Sequence, residues 1–393
     1  MTSRERMLTA LRNGVPDVVP TFLCYHGMYL SRHTTLEYLL EYRRRLGDRA
    51  QYPIDPEEDL QIRRWAIQRT LDLFIGRIDY QFGFPSVRPL EGDVITPAYI
   101  EAAIRYIDSE DVPLLGPDGR VRSGGAPPRG YWDQGRPLET RADVDRYFAP
   151  AEPGPEPPPP PPEPDPYADL KAKHRAANAD LFRCGSFTTP FCEAIGAFSY
   201  AGTMLALHDR PEVFGYFIER ATAQRLEGIR TAPVDGFWFD EYYTDVISPQ
   251  HYEEYVGRPN RILAQALRQS GKASMYYFCG DIRPKLPQVL ELEVDAIAFE
   301  ESKKGFHLDV AEVKKVVGNR KALVGNMDGL HLLPRGTPEQ IVAEVKRQLA
   351  AAARDGGFVM GAGSPIAPDT PLENMRAFLD TTREFGRYPM TWL

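Results

Sequence analysis

Residues 235–280, "DGFWFDEYYTDVISPQHYEEYVGRPNRILAQALRQSGKASMYYFCG", contain two apolar runs of strand length on either side of a segment with helical periodicity. The helical segment starts at Ser248 and Pro249, which form a common N-terminal signal, and it ends at Gly271. Strands that helices cover on both faces are continuous apolar runs, because neither face meets water. The stretch therefore predicts a βαβ unit of a parallel sheet.

The same alternation of strand and helix continues on both sides of this unit. Further strand-length runs are "DLFRCGSF" (180–187), "DAIAFEE" (295–301), "ALVGNMD" (322–328) and "GFVMGAG" (357–363), and "VVPTFLCYHG" (18–27) is followed by the helical "TLEYLLEYRRRLG". Roughly eight such units close into a (β/α)8 barrel. An open doubly wound sheet is the alternative, but no strand is followed by a G-x-G-x-x-G loop. The sequence predicts an α/β fold with one TIM-type (β/α)8 barrel over residues 1–393.

Two segments interrupt this alternation. Residues 149–170, "APAEPGPEPPPPPPEPDPYADL", favour polyproline II and cannot join a helix or a central strand, so they predict a Pro-rich surface loop that acts as a stiff linker. A docking ligand for an SH3-type domain is the alternative. Residues 92–123 contain the turn signal "PDGRV" between β-prone runs and predict a hairpin inserted outside the barrel.

The composition argues for a protein that acts on small molecules. The net charge is -8 and the pI is near 5.5, with basic residues scattered among acids, so neither a nucleic acid nor an anionic membrane is expected as a partner. The start of the chain has no apolar signal core, and no run of 18 apolar residues occurs. Its four cysteines form neither a CxxC pair nor a disulfide framework, which favours the reducing cytoplasm. A homo-oligomer is compatible with this composition.

Residues at the carboxyl ends of barrel strands face the active site. This rule selects carboxylates, tyrosines and one thiol: Tyr25, His26, Asp240, Glu241, Tyr242, Tyr277, Cys279, Glu300, Glu301, Asn326, Asp328 and Ser364. Carboxylates in a partly dry pocket suit acid–base chemistry or a metal, and a thiolate with nitrogen or oxygen partners suits zinc. The alternatives are that Asp240 and Glu241 cap the next helix and that Cys279 is a small buried hydrophobe.

Asp240 and Glu241 are neighbours on a predicted strand, where successive side chains point to opposite faces. At most one of them should therefore point into the barrel. We predict that Asp240 is the functional residue of the two, with Glu241 as second choice.

Several segments carry a family resemblance across nearly the whole chain. They are "RERMLTALRNGVPDVVPTF", "PEVFGYFIERATA", "DEYYTDVISPQHYEEYVGRPNRIL", "FCGDIRPKLPQVLELEVDAIAFEE", "ALVGNMDG" and "GSPIAPDTPLENMRAF". With these segments the chain resembles the uroporphyrinogen decarboxylase superfamily, and most closely its branch of corrinoid-dependent methyltransferases and O-demethylating enzymes. The resemblance implies a (β/α)8 barrel whose pocket lies at the C-terminal mouth.

The resemblance also implies a metal site with altered ligands. In the zinc-dependent methyltransferases of the superfamily, a His-x-Cys-Gly motif and a later cysteine hold zinc, which activates a thiol to accept a methyl group from a corrinoid. The corresponding positions here are Tyr277, Cys279 and Ser364. A retained metal would be held by Cys279 with Asp240, Glu241 or Glu300 as oxygen donors, and Glu300 is the predicted second ligand.

The decarboxylase branch of the superfamily has an arginine-rich stretch after the first strand, because fixed cations hold a substrate with many carboxylates. This chain has "CYHGMYLSRH" there, with Arg32 displaced and no second arginine. A smaller aromatic or methylated ligand is therefore expected, with Tyr25, Tyr29, Asn326 and Ser364 as substrate-binding residues.

Three functions remain open at this point. The first is corrinoid-linked methyl transfer on a small substrate, with the corrinoid on a partner protein and with zinc as an optional cofactor. The second is a decarboxylase or lyase reaction without any cofactor, and the third is a binding barrel without catalysis. For the enzymes, the predicted catalytic residues are Asp240, Glu241, Tyr242, Tyr277 and His26.

Overall fold

The computed structural model describes residues 1–23, 26–90, 92–105, 107, 114–115, 121–122, 138–149, 164–303 and 305–393, with the side chains of residues 26–28, 114–115 and 121–122 left out. Its strands are β1 (Tyr52–Pro53), β2 (Val94–Ile95), β3 (Leu114–Leu115), β4 (Val121–Arg122), β5 (Cys184–Thr188), β6 (Gly236–Glu241), β7 (Ala273–Phe278), β8 (Ala296–Phe299), β9 (Ala322–Val324) and β10 (Phe358–Val359).

The helices surround these strands. They are α1 (Ser3–Leu11), α2 (His26–Leu46), α3 (Pro56–Phe74), α4 (Pro97–Arg105), α5 (Arg141–Tyr147), α6 (Ala168–Asn178), α7 (Pro190–Phe198), α8 (Tyr200–Asp209), α9 (Pro211–Thr231), α10 (Pro249–Tyr252), α11 (Arg258–Gln269), α12 (Leu286–Leu290), α13 (Val310–Val317), α14 (Leu332–Arg335), α15 (Pro338–Ala352) and α16 (Leu372–Phe385). A π-helical turn (Glu253–Gly257) joins α10 to α11, and a 3₁₀ turn (Arg283–Lys285) precedes α12.

The central sheet has six parallel strands in the order β5-β6-β7-β8-β9-β10, which is also their order in the chain. Each strand is followed by at least one helix before its neighbour begins, as parallel pairing requires. Five of the six strands lie within the runs that the sequence predicts, and β5 extends one residue beyond its run, to Thr188. The predicted α/β class is confirmed.

Two short extended segments link the edges of this sheet. Backbone hydrogen bonds join residues 79–81 to Phe182 at 2.8 Å and to Thr21 at 3.2 Å. The segment at residues 20–22 is joined in turn to Met360, next to β10, at 2.9 Å. Together with the six strands, these two segments occupy the eight strand positions of the predicted barrel.

A column of aromatic rings fills the interior that the strands enclose. Phe22 packs on Tyr80 with ring centroids 4.5 Å apart and stacks on Trp238 at 5.2 Å, and Trp238 stacks on Tyr277 at 5.0 Å. All four side chains are buried. The column fixes which face of β6 points inward, because Trp238 reaches Phe22 on the opposite wall.

The insertion after α3 packs against α2 and α3 in a second apolar cluster. Within this cluster, β1, which precedes α3, pairs antiparallel with β2, and the hydroxyl groups of Tyr38 and Tyr42 in α2 donate to the carboxylate of buried Asp59 in α3 at 2.6 and 2.8 Å. The predicted hairpin is confirmed, since β3 and β4 pair antiparallel with each other. The residues just before it, however, form helix α4 and not a strand.

Helix α2 begins at His26, nine residues before the predicted helical segment. Thr34 and Thr35 lie inside this helix, where their hydroxyl groups donate to the carbonyls of Leu30 and Ser31. Most of the predicted Pro-rich loop, residues 150–163, lies outside the described residues. Across the part of the chain that the structure describes, no helix is both long and apolar enough to span a membrane.

Candidate active site

A thiol and a carboxylate meet where β7 and β8 end. Cys279 follows β7 and Glu300 follows β8, and the Cys279 Sγ donates to Oε1 of Glu300 at 2.9 Å. The backbone amide of Gly280 donates to Oε2 of the same carboxylate, also at 2.9 Å. The two residues meet because β7 and β8 are parallel neighbours whose carboxyl ends lie at one edge of the sheet.

A lysine completes this group. The ammonium of Lys303 forms an ion pair with Oε1 of Glu300 and donates to the Ser364 hydroxyl group at 2.6 Å. Its side chain is only 13% exposed, and Glu300 and Ser364 are buried. We call Cys279, Glu300, Lys303 and Ser364 the Lys303 cluster. The positive charge of Lys303 neutralises the negative charge of Glu300. Charge interactions at such a buried site are stronger than in bulk solvent.

Gly280 shapes the turn that presents Cys279. Its φ is +120°, and a Cβ at this position would lie 2.6 Å from a carboxylate oxygen of Asp245. We predict that Gly280→Ala lowers the free energy of unfolding by roughly 3 kcal/mol, from backbone strain and this contact together. Urea denaturation measures the loss.

Gly271→Ala is the matched control for this substitution. Gly271 also has a positive φ, +69°, but a Cβ added there would meet no other atom within 4 Å. The control reports backbone strain alone and is expected to cost about 1 kcal/mol. Equal losses in the two variants would show that the Asp245 contact contributes nothing.

Tyr277 lies below the Lys303 cluster. It is in register with Asp240 of β6, stacks on Trp238, and its hydroxyl group donates to the carbonyl of Gly363 at 2.8 Å. Tyr277 therefore ties β7 to the segment after β10 and closes the floor beneath the cluster.

Glu301 is a second buried acid beside the Lys303 cluster. Its side chain is 2% exposed, and Ser364 and Lys303 lie near its carboxyl group. Desolvation raises the pKa of Glu301, which favours its protonated form. Its backbone packs against Gly363, where an added Cβ would lie 2.4 Å from the Glu301 amide nitrogen.

Asp240 and Glu241 point to opposite faces of β6, as strand geometry requires. Asp240 is half-buried and shares the inner face with Trp238. Glu241 is completely buried on the other face, where the Cys192 thiol donates to it at 3.2 Å and the Asn260 amide donates at 2.9 Å. Burial raises the pKa of Glu241 to about 7. Glu241 thus lies between the sheet and its helices, away from the Lys303 cluster.

The other predicted residues are held by the backbone around them. The Asn326 amide donates to the carbonyls of Glu300 and Leu308 at 3.3 and 3.1 Å, so it fixes the loop after β8. The backbone amide of Tyr242 donates to the Cys192 sulfur at 3.0 Å.

Tyr29 is buried in α2. Its hydroxyl group donates to the carbonyl of Thr370 at 3.4 Å, its ring stacks on His33, and burial raises its pKa well above the usual value. Tyr25 lies outside the described residues, and His26 is described only as the first residue of α2.

The comparison with protein families agrees with this architecture. The sequence profile described as uroporphyrinogen decarboxylase (URO-D) matches residues 177–385, which is more than half of the chain and includes all six sheet strands. This chain belongs to the uroporphyrinogen decarboxylase family. The matched residues include Asp240, Cys279, Glu300, Lys303 and Ser364.

Its curated relatives within this family include both methyltransferases and decarboxylases. A methylated-thiol–coenzyme M methyltransferase of Methanosarcina mazei is 27% identical over 36% of this chain and 35% of the relative. A methylcobamide:CoM methyltransferase of Methanosarcina barkeri is 32% identical over 36% of this chain and 38% of the relative. A uroporphyrinogen decarboxylase of Coxiella burnetii is 24% identical over 46% of this chain and 50% of the relative. The matched part therefore spans a third to a half of these relatives.

A solved structure matches the whole chain. It is a methyltransferase from Methanosarcina mazei that is 19% identical, with a TM-score of 0.53 over 98% of this chain and 99% of that one. This likeness shows the shared fold.

The side chains at the zinc positions implied by the family resemblance do not fit a zinc ion. Tyr277 donates to a backbone carbonyl, Ser364 accepts from Lys303, and Cys279 donates to a carboxylate that already has an ammonium partner. Zinc sites are built from thiolates, imidazoles and carboxylates. Within the described ranges, no group of three or more His, Cys, Asp or Glu side chains could hold a metal ion.

The strand-end rule finds Cys279, Glu300 and Ser364 but does not reach Lys303. Lys303 lies in the loop after β8, and its side chain turns back toward Glu300 three residues earlier. The signal that could have found it is the spacing itself, since a lysine three residues after a strand-end glutamate is within reach of its carboxylate.

Proposed function

We propose that this chain catalyses methyl transfer between a corrinoid carried on a separate protein and a small thiol. Support comes from the family, from two relatives whose names are those of coenzyme M methyltransferases, and from the Lys303 cluster. The observation that carries the proposal is the Glu300 carboxylate, which lies between a thiol and an ammonium at the carboxyl ends of β7 and β8.

In the proposed step, Glu300 accepts the proton of the substrate thiol, and the ammonium of Lys303 stabilises the resulting thiolate. The thiolate sulfur attacks the methyl carbon. The sulfur–carbon bond forms as the bond between the carbon and its donor breaks, and the donor keeps that electron pair. The step needs no further oxidant or reductant.

Other side chains position these groups. The Cys279 thiol and the Gly280 amide hold the Glu300 carboxylate, and Ser364 holds the ammonium of Lys303. Asp240, on the inner face of β6, is the proposed substrate-binding carboxylate. The aromatic column fills the interior below the cluster, so the substrate can bind only in the space at the mouth of the barrel. This limited space favours a small molecule.

The test uses methylcobalamin as the donor and a panel of small thiols as acceptors, without oxygen. We expect thioether formation that depends on the enzyme and on the thiol, detected by mass spectrometry together with the absorbance change of the cobalamin. The boiled protein is the control. Absence of thioether with every thiol, with release of carbon dioxide from a parallel panel of small carboxylic acids, would replace this proposal with decarboxylation.

Decarboxylation without a cofactor is the second candidate, because of Glu301. Its buried carboxyl group, with a raised pKa, is suited to donate a proton to the carbanion that loss of carbon dioxide leaves. The ammonium of Lys303 would then pair with the substrate carboxylate.

Cys184, Cys192 and Cys279 are free thiols, and we propose that the chain works in the reducing cytoplasm.

A further inference from the structure

The ammonium of Lys303 lies beside the side chains at the zinc positions implied by the family resemblance. It contacts the Glu300 carboxylate and the Ser364 hydroxyl group, and the Cys279 sulfur lies 2.9 Å from the same carboxylate oxygen that Lys303 contacts. We propose that Lys303 is the built-in cation of this site and that it keeps divalent metals out. The role of its charge in the reaction rests on the proposed function, whereas the exclusion of metal does not.

The position of Lys303 is built into the loop after β8. The Asn326 amide donates to the carbonyls of Glu300 and Leu308, which bracket the loop, and the Leu308 amide donates to the Ser302 hydroxyl group at 2.8 Å. These bonds hold the loop closed on both sides of Lys303. Lys303 therefore lies in a loop that is anchored on both sides, and its ammonium contacts Glu300 and Ser364.

The neighbouring side chains suit an ammonium better than a metal. The Ser364 hydroxyl group accepts from Lys303, and the Tyr277 hydroxyl group is engaged with the carbonyl of Gly363. An ammonium is a compact point charge with three donors, which hydroxyl and carboxylate oxygens satisfy. A divalent ion beside it would meet a like charge in a site with little water, and would find one thiol in place of the usual set of thiolate and imidazole ligands.

The experiment adds metal ligands with and without the lysine. The first variant is Tyr277→His/Ser364→Cys, and the second is Tyr277→His/Ser364→Cys/Lys303→Ala. Zinc per chain is measured by elemental analysis after dialysis, and Co²⁺ binding is followed through its thiolate absorption bands. We expect far less than one zinc per chain in the wild type and the double variant, and about one in the triple variant, with affinity at least about 100-fold above that of the double variant.

Replacing Lys303 by arginine in the same background is the matched control. It keeps the charge and is expected to stay free of zinc. Stoichiometric zinc in the double variant, or a folded triple variant that binds no better than the double variant, would overturn the inference. Circular dichroism and thermal melting establish that each variant is folded.

A single substitution gives an independent measurement that does not depend on the engineered ligands. Lys303→Ala alone leaves Cys279 and Glu300 in place and is expected to bind Co²⁺ about tenfold more tightly than the wild type. Unchanged affinity would contradict the inference. A wild type that transfers no methyl group but shows this pattern of metal binding would refute the proposed function and leave the lysine's exclusion of metal standing.

Discussion

Lys303→Met is expected to lower kcat for methyl transfer by about 10²- to 10⁴-fold, because it removes the charge that stabilises the thiolate. Methionine replaces the apolar stem of lysine and removes the ammonium, so packing against the loop after β8 changes little. The Glu300 carboxylate, which is 2% exposed, also loses its ammonium partner. Steady-state kinetics with the best thiol of the panel measure kcat and KM separately.

Two further variants make this result specific. Lys303→Arg keeps the positive charge and should recover part of the lost rate. Lys315→Met removes an exposed lysine of α13 and should leave the rate unchanged. A Lys303→Met enzyme within a few-fold of the wild type would show that the ammonium does not take part in the reaction.

The barrel could be predicted from sequence because its six sheet strands lie in apolar runs that alternate with helical segments. The extended segment at residues 79–81 was not predicted, because it is short and begins with Asp79. This carboxylate is buried through ion pairs with Arg6 and Arg383, at 2.6 and 2.9 Å, from opposite ends of the chain. A charged residue that long-range partners neutralise cannot be recognised as buried from its local sequence.

The candidate site was predicted in part, for similar reasons. Strand ends are local features, so Cys279, Glu300 and Asp240 could be found from the pattern of apolar runs. The period of two predicts that Asp240 and Glu241 face opposite ways, but the inner face is known only from the stacking of Trp238 on Phe22 across the barrel. The contact between Lys303 and Ser364, 61 residues apart, depends on the closed loop after β8.

Glu241 offers a test of its position on the helix-facing side of β6. The groups packed against it are Cys192 of α7, Tyr252 of α10, Asn260 of α11 and Tyr276 of β7. Burial raises the pKa of the thiol and of both phenols well above their usual values. Between pH 4.5 and 8, Glu241 is therefore the member of this group that changes its charge.

The folded protein holds the proton of Glu241 more tightly than the unfolded chain, since its pKa is raised from 4.5 to about 7. The contribution of Glu241 to the free energy of unfolding is therefore largest below pH 4.5, and it is lost as the pH rises to about 7. The loss amounts to roughly 3 kcal/mol over this interval. Glu241→Gln removes the ionisation and keeps an oxygen that can accept from Cys192 or Asn260.

We therefore expect the free energy of unfolding of Glu241→Gln, minus that of the wild type, to rise by roughly 3 kcal/mol between pH 4.5 and pH 8. Urea denaturation at a series of pH values measures this difference, in which the titration of all other groups cancels. Asp240→Asn is the matched control, since Asp240 lies on the inner face and is half-buried, and it should leave the pH dependence that Glu241 causes in place. A difference for Glu241→Gln that does not change with pH would mean that Glu241 reaches water and is not sealed between the sheet and its helices.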